Sequence, residues 1–135
     1  MFCRIVDGTE RAEIVHADDV AVAFLDRTPL FAGHTLVVPR RHHVTLSDLP
    51  PESVGAFFLS VQRGANAVRE GMDAAGTFVA MNNTESQSVP HLHVHVVPRT
   101  RGDGLKGFFW PRRRYADEAD MADAAARVRA AWPVT

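Results

Sequence analysis

The sequence predicts an α+β domain built on an antiparallel sheet of about five strands, with one main helix and a second helix near the C-terminus. Short β-rich runs fill the first 40 residues, one long stretch has apolar residues at spacings of three and four, and two further β-rich runs follow it. Because the strands and the main helix are segregated along the chain, repeated βαβ units are disfavoured and an antiparallel sheet is favoured.

The five predicted strands are short, and most of them are bounded by turn residues. They cover residues 13–16, 20–25, 35–38, 77–81 and 91–97. The last strand is expected to end at Pro98, because proline cannot continue a hydrogen-bonded ladder. The order of the strands in the sheet does not follow from this pattern.

The main helix is predicted to begin at Pro50 and Pro51, since proline is favoured in the first turn of a helix, and to end between Gly71 and Gly76. Its apolar residues recur on one face, which is expected to pack on the sheet. They are Val54, Phe57, Phe58, Val61, Ala65, Val68 and Met72. The second helix is predicted from the same spacing in Met121, Ala124, Ala125, Val128 and Trp132.

Length and composition indicate a single domain of 135 residues, in which residues 1–101 form the core and residues 102–135 form a C-terminal segment. The net charge of −1 argues against general binding of nucleic acids or membranes, and no apolar run is long enough to span a bilayer. A single cysteine and the lack of a signal-peptide pattern favour the reducing cytoplasm.

Three histidines alternate with apolar residues near the end of the core, at positions 91, 93 and 95. In a strand, alternate side chains share a face, so His91, His93 and His95 form a row of imidazoles. Imidazole serves near neutral pH as a nucleophile, an acid or base, or a metal ligand. A catalytic metal usually recruits carboxylates or thiolates as well, and Glu85 is the only such residue between positions 82 and 99, which disfavours that alternative.

This motif resembles the signature of the histidine triad (HIT) family of nucleotide hydrolases and transferases. The resemblance extends upstream to Asn82 and to the Gln87, Ser88 and Val89 run, and it includes residues 23–26 and 33–39. It covers about residues 2–101. It implies a HIT-like fold and a homodimer joined through the main helix and an edge strand.

The resemblance also implies roles for individual residues. His93 would attack the α-phosphorus of a nucleotide and form a covalent intermediate, with its tautomer fixed by the main chain near His91. His95 would contact oxygens of the phosphate or the leaving group, and Ser88 and Gln87 would donate hydrogen bonds to the non-bridging oxygens. Asn82 would bind the bridging or leaving-group atom, and Asp26 would bind the ribose. Phe24 and Leu25 would contact the base, and Trp110 would line the mouth of the site.

Two of these residues have simpler alternatives. Asp26 precedes Thr28 and Pro29 and is also a typical turn residue. His34 is a candidate for orienting a triad histidine, with an ordinary position at a strand edge as the alternative. Ser86 stands where the family commonly has glycine next to the phosphates, in a loop about two residues shorter than usual; it fits a turn there if its φ is negative.

The expected substrate is a purine nucleotide with a substituted α-phosphate, either a nucleoside phosphoramidate or a dinucleoside polyphosphate. The alternatives are a non-catalytic nucleotide-binding regulatory module and a histidine-ligated metalloenzyme. No cofactor is expected to be required, and magnesium would enter only as a counter-ion of a polyphosphate. Cys3, His42 and His91 match three of four ligands of a structural zinc site found in several family members, and zinc is not expected here because one thiolate is missing.

Overall fold

The computed structural model describes residues 1–106 and 112–133. They divide into two compact units, Met1–Asp103 and Gly104–Thr135. The strands are β1 (Ile14–Ala17), β2 (Ala21–Leu25), β3 (Thr35–Pro39), β4 (Gly76–Ala80) and β5 (Val94–Arg99). The helices are α1 (Phe2–Asp7), α2 (Pro51–Gly71) and α3 (Glu118–Ala131), with a short 3-10 turn at Leu46–Asp48. The predicted α+β class is confirmed; the assignment of both units to a single domain stays a prediction.

The sheet has the order β1-β2-β3-β5-β4, and every pair of neighbours is antiparallel. Its register places four residues in one row across the sheet: Ile14 pairs with Phe24, Phe24 with Leu36, and Leu36 with His95. Directly paired residues on neighbouring strands point to the same face. The row therefore runs from the outer edge of the sheet to the histidine motif.

The two faces of the sheet carry separate apolar clusters. On one face, Phe57, Val61 and Val68 of α2 pack against residues of β2, β3 and β5, as the helical spacing predicts. On the other face, Phe2 and Ile5 of α1 pack against β2 and β3. The two ends of the predicted stripe are less buried than its middle, since Val54 and Met72 are 37% and 44% exposed, although the Met72 side chain lies against Gly33 just before β3.

The last strand differs from its predicted bounds at both ends. It begins at Val94 because the residues before it bond to loops: the N–H of His91 donates to Val89 and that of Leu92 donates to His43. It continues through Pro98, which pairs with Thr77. The ladder of β3 with β5 ends at Val96, so among the described strands Pro98 pairs with β4 alone, and proline is tolerated at such an edge.

Helix α1 was missed because six residues are too few for a recognisable repeat. Gly8 ends it with φ of +85°, a conformation that glycine adopts without strain. Helix α3 confirms the predicted C-terminal helix and is capped by Asp117, whose carboxylate accepts a hydrogen bond from the N–H of Asp120. Within the described ranges, no helix combines the length and the apolar character needed to cross a membrane.

Candidate active site

A cleft of about 540 Å³ lies on the face of the sheet that carries α1. Its lining combines apolar residues of α1, β2 and β3 with two polar regions, one near the histidine motif and one at residues 10–13 and Arg27. The apolar lining includes Phe2, Ile5, Phe24, Leu25 and Leu36. The polar lining near the motif includes Asp26, Ser88, His93 and His95. A mostly apolar cleft with a few convergent polar groups is typical of a small-molecule site.

His93 is held in one tautomer by the main chain. Its Nδ1 lies 2.7 Å from the carbonyl oxygen of His91, and a carbonyl only accepts, so Nδ1–H is the donor. The lone pair of the neutral ring is then on Nε2. The ring is 4% exposed and contacts the ring of Phe2 edge to face at 5.1 Å. His93 therefore has the fixed orientation and the free nitrogen that a nucleophile needs.

His95 is oriented by His34, through a chain of hydrogen bonds that starts at the backbone. The N–H of Leu30 donates to Nδ1 of His34 at 3.1 Å, so a neutral His34 carries its proton on Nε2. That Nε2–H donates to Nδ1 of His95 at 2.9 Å. His95 must then carry its own proton on Nε2 and present it as a donor. His34 is therefore placed where it can orient His95, and the role itself stays a prediction.

Burial keeps His95 and His34 neutral at pH 7, because it lowers the pKa of both rings. Desolvation, with His93 and His34 close by, lowers the pKa of His95 to about 4, and nearby Asp26 opposes part of this change. Desolvation also lowers the pKa of His34, again opposed by Asp26. A neutral His95 has one N–H and one acceptor nitrogen, as the hydrogen-bond chain requires.

The two oxygens of Asp26 have different surroundings. Oδ1 accepts a hydrogen bond from the N–H of Thr28 at 2.9 Å, which is the turn contact given as the simpler alternative. Oδ2 lies 3.7 Å from Nε2 of His34 in the lining of the cleft. The carboxylate therefore closes the turn with one oxygen and presents the other toward the cleft.

Ser88 lines the cleft, whereas three other predicted contacts lie outside its lining: Asn82, Ser86 and Gln87. The side chain of Gln87 bonds within the loops, donating from Nε2 to the carbonyl of Val44 and accepting at Oε1 from the N–H of Thr84. Trp110 falls outside the described residues. Sequence reasoning required a negative φ at Ser86, and this was wrong: φ is +59° there and +68° at Thr84, because the short loop turns sharply.

The third triad histidine faces a different neighbourhood. Nδ1 of His91 lies 3.5 Å from Sγ of Cys3 and 3.2 Å from Nδ1 of His42. The Cys3 Sγ and His42 Nδ1 atoms are 3.1 Å apart. Tetrahedral zinc with ordinary bond lengths would separate its nitrogen and sulfur ligands by about 3.3–3.6 Å. Nε2 of His91 lies 3.4 Å from the carbonyl of Pro39, which leaves Nδ1 free as a ligand.

Charge also fits a metal at this cluster. Burial lowers the pKa of His91 to about 4, opposed by the Pro39 carbonyl and assisted by His42, so that the ring is neutral as a ligand must be. The three residues Cys3, His42 and His91 therefore fit three vertices of a tetrahedral site. His93 and His95 are not part of this cluster.

Sequence reasoning missed the N-terminal wall of the cleft. Phe2 and Ile5 line it from α1, Met1 lines it from the residue before that helix, and residues 10–13 line it from the segment before β1. The spacing of Phe2 and Ile5 by three residues is the one signal that pointed to a buried helical face. Nothing in the pattern of residues 10–13 indicated proximity to the histidines.

A family model described as HIT domain matches residues 8–102. The chain belongs to the HIT family. A crystal structure of a HIT family protein from Bacillus subtilis superposes with a TM-score of 0.88 at 28% identity, covering 100% of this chain and 98% of the other. A Zn-bound histidine triad family protein from Mycobacterium smegmatis is 39% identical, with a TM-score of 0.73 and coverage of 97% and 96%.

Among named relatives, Adenylylsulfatase HINT3 of Arabidopsis thaliana is 33% identical over 107 residues. The aligned region covers 78% of this chain and 54% of that protein. Membership of the HIT family supports a nucleotide-related hydrolase or transferase in general terms.

Proposed function

We propose that this HIT protein is a nucleotidyl hydrolase or transferase that acts on a purine nucleotide with a substituted α-phosphate. The observation that carries the proposal is the 2.7 Å hydrogen bond from Nδ1 of His93 to the carbonyl of His91. A binding module has no need of an imidazole whose tautomer is fixed, whereas a nucleophile does. The proposal is that His93 forms a nucleotidyl-histidine.

In the first step the lone pair on Nε2 of His93 attacks the α-phosphorus and a P–N bond to the histidine forms. The bond from phosphorus to the leaving group breaks with its electron pair, and the leaving group departs as an anion or, if it is an amine, takes a proton from solvent. In the second step water attacks the phosphorus, the bond to Nε2 breaks, the electron pair returns to His93 and a proton goes to solvent.

The neighbouring groups support charge redistribution in both steps. Nε2–H of His95 donates to a phosphate or leaving-group oxygen, and its direction is set by the hydrogen bond from His34. We assign the direct hydroxyl contact with a non-bridging oxygen to Ser88, which lines the cleft. The side chain of Gln87 holds the loop through its bonds to Val44 and Thr84, so its contribution would be to position Ser88.

The rest of the cleft suits a nucleoside. Phe24 and Leu36 are paired on β2 and β3 and form an apolar floor for the base. The Asp26 carboxylate at the end of β2 is an acceptor for ribose hydroxyls. Asp26 follows Phe24 by two positions, so the ribose contact adjoins the floor for the base.

A substrate panel tests the proposal and separates the leaving groups. It contains an adenosine and a guanosine phosphoramidate, a dinucleoside polyphosphate and an adenylyl sulfate, the last suggested by the name of the Arabidopsis relative. The ratios of kcat/KM rank the leaving groups, because specificity is a ratio of those values. Turnover of at least one compound, with a labelled nucleotidyl adduct on His93 after rapid quenching, is expected. Absence of turnover across the panel, or an adduct on another residue, would reject the proposed function.

Zinc was not expected from the sequence because one thiolate is missing, but the ligand atoms of Cys3, His42 and His91 lie 3.1–3.5 Å apart, and we further propose that these residues would hold zinc where it is available, as a structural cross-link. Bound there, the metal would tie α1, the loop after β3 and the triad segment together without taking part in the chemistry of His93. The metalloenzyme alternative has its strongest candidate in Asp26, His34 and His95. It is disfavoured because the Leu30 N–H places the proton of His34 on Nε2, the nitrogen that faces that group.

A further inference from the structure

The register of the sheet places residues 10–13 at the end of the cleft remote from His95. The row from His95 passes through Leu36 and Phe24 to Ile14, the first residue of β1, and residues 10–13 lead directly into it. Neighbouring strands are about 4.8 Å apart, so the segment lies roughly 14 Å from β5. A nucleotide whose phosphate meets His95 and whose base covers Phe24 and Leu36 would point the outer edge of its base toward this segment.

This end of the cleft carries charged side chains next to the apolar residues of α1 and β2. Glu10, Arg11, Glu13 and Arg27 contribute to it. The guanidinium of Arg27 donates from Nη2 to the carbonyl of Arg11 at 3.1 Å, which holds the segment against β2. Glu10 is half-buried, and its own N–H donates to the carbonyl of Arg4 at 3.0 Å. Its backbone is therefore fixed from α1.

The carboxylate of Glu10 has acceptor capacity that the protein leaves open. No hydrogen bond or ion pair joins it to any residue in the described part of the chain, although the residue lines the cleft. Glu13, three positions on, is more exposed, and its carbonyl accepts from the N–H of Leu25. Glu10 is thus the more sheltered of the two acids at the base end.

We propose that Glu10 reads the edge of the base and selects guanine over adenine. The inference rests on the proposed function, since it places a nucleotide in this cleft. A carboxylate only accepts hydrogen bonds. Guanine offers two adjacent donors on its Watson–Crick edge, N1–H and the N2 amino group, which one carboxylate binds together. Adenine has an unprotonated N1 at that edge, so its lone pair would face the negative charge.

Binding of nucleoside monophosphates by calorimetry tests this proposal without requiring turnover. We expect the wild-type protein to bind GMP roughly tenfold or more tightly than AMP. This ratio is near the lower end of the discrimination that a contact of two hydrogen bonds to one base gives, because Glu10 is only half-buried. IMP, which keeps N1–H and lacks the amino group, should lie between them. Glu10→Gln should bring GMP within about threefold of AMP, since a charged acceptor is replaced by a neutral one. AMP affinity should not fall in this variant.

Glu13→Gln is the matched control, with the same change of charge three residues away, and it should keep the wild-type preference. Equal binding of GMP and AMP by the wild-type protein would overturn the proposal whether or not any variant folds. If Glu10→Gln and Glu13→Gln lost the preference for GMP to the same extent, the proposal would also be overturned, because the loss would reflect a general effect of charge. Guanine preference without turnover of any substrate would reject only the proposed function; turnover without base preference would reject only the role of Glu10.

Discussion

Replacement of His34 by phenylalanine tests the hydrogen-bond chain that orients His95. The substitution keeps a planar ring at a position that is 4% exposed, but removes both nitrogens. The N–H of Leu30 loses its acceptor and Nδ1 of His95 loses its donor. His95 is then free to move its proton to Nδ1, which would turn a lone pair toward the phosphate in place of an N–H.

The expected losses follow from these contacts. Removal of one donor that stabilises developing charge commonly lowers turnover by about 10²–10³-fold, and we expect His34→Phe to fall near the lower value because His95 itself remains. Leaving Nδ1 of a partly buried His95 without a partner should cost about 1–3 kcal/mol of folding free energy. His34→Gln should recover part of the activity, since its amide offers one donor and one acceptor.

Kinetics and imidazole NMR together distinguish orientation from general damage. We expect kcat to fall in His34→Phe while the Kd for a nucleoside monophosphate changes less than threefold, and denaturant unfolding should give the loss of stability. Long-range ¹H–¹⁵N spectra of the wild-type protein should show His95 protonated on Nε2 and His93 on Nδ1. A wild-type His95 protonated on Nδ1, or kcat of His34→Phe within threefold of wild type, would refute the reasoning.

Four further outcomes follow from the same geometry. His93→Ala should lower turnover by about 10⁴-fold or more while nucleotide binding persists, and His95→Ala should lower turnover by about 10²–10³-fold. Losses of kcat/KM of the same size in the two variants would contradict their separate roles. Ser86→Gly should raise the melting temperature by roughly 1–3 °C because it relieves a φ of +59°, and Ser86→Val should lower it; the opposite order in calorimetry would exclude strain at this position. Exhaustive chelation should lower the melting temperature of zinc-loaded wild-type protein and leave that of the Cys3→Ser variant unchanged, while kcat at 25 °C is kept. A loss of kcat that zinc restores would assign the metal to catalysis. We also propose the homodimer that the resemblance to the HIT family implies, so light scattering at micromolar concentration should give a mass near twice 14.9 kDa, and the monomer mass would count against it.

The sequence predicted those parts of the fold that depend on local periodicity. Strands and helices with repeated apolar residues were placed within a few positions, as for α2, whose predicted start at Pro50 and Pro51 agrees with the observed Pro51–Gly71. The order of strands was out of reach because it depends on contacts between distant segments. The bounds of β5 were wrong for a related reason: whether Pro98 is tolerated depends on where the neighbouring β3 ladder ends.

The candidate site could be predicted as a set of residues but not as a set of contacts. Alternation placed the triad on one face, yet the rings have different neighbours: His91 lies beside Cys3 and His42, while His95 bonds to His34. Those partners are 49 to 88 positions away in sequence, so no local pattern reveals them. The same applies to the turn at Ser86, where a polar residue that is common in turns gives no sign of positive φ.

His91 contacts both the Cys3 and His42 cluster and the proposed nucleophile His93, the first through its ring and the second through its carbonyl. Its ring lies in the cluster with Cys3, while its carbonyl accepts a hydrogen bond from Nδ1–H of His93. The carbonyl is also placed by backbone bonds independent of that ring, because the N–H of His91 donates to Val89 at 2.8 Å and the N–H of the next residue donates to His43 at 2.7 Å. Loss of a metal would therefore loosen the N-terminal wall before it disturbed the tautomer of His93. This separation explains why the cluster is assigned to stability and the backbone around His91 to the chemistry.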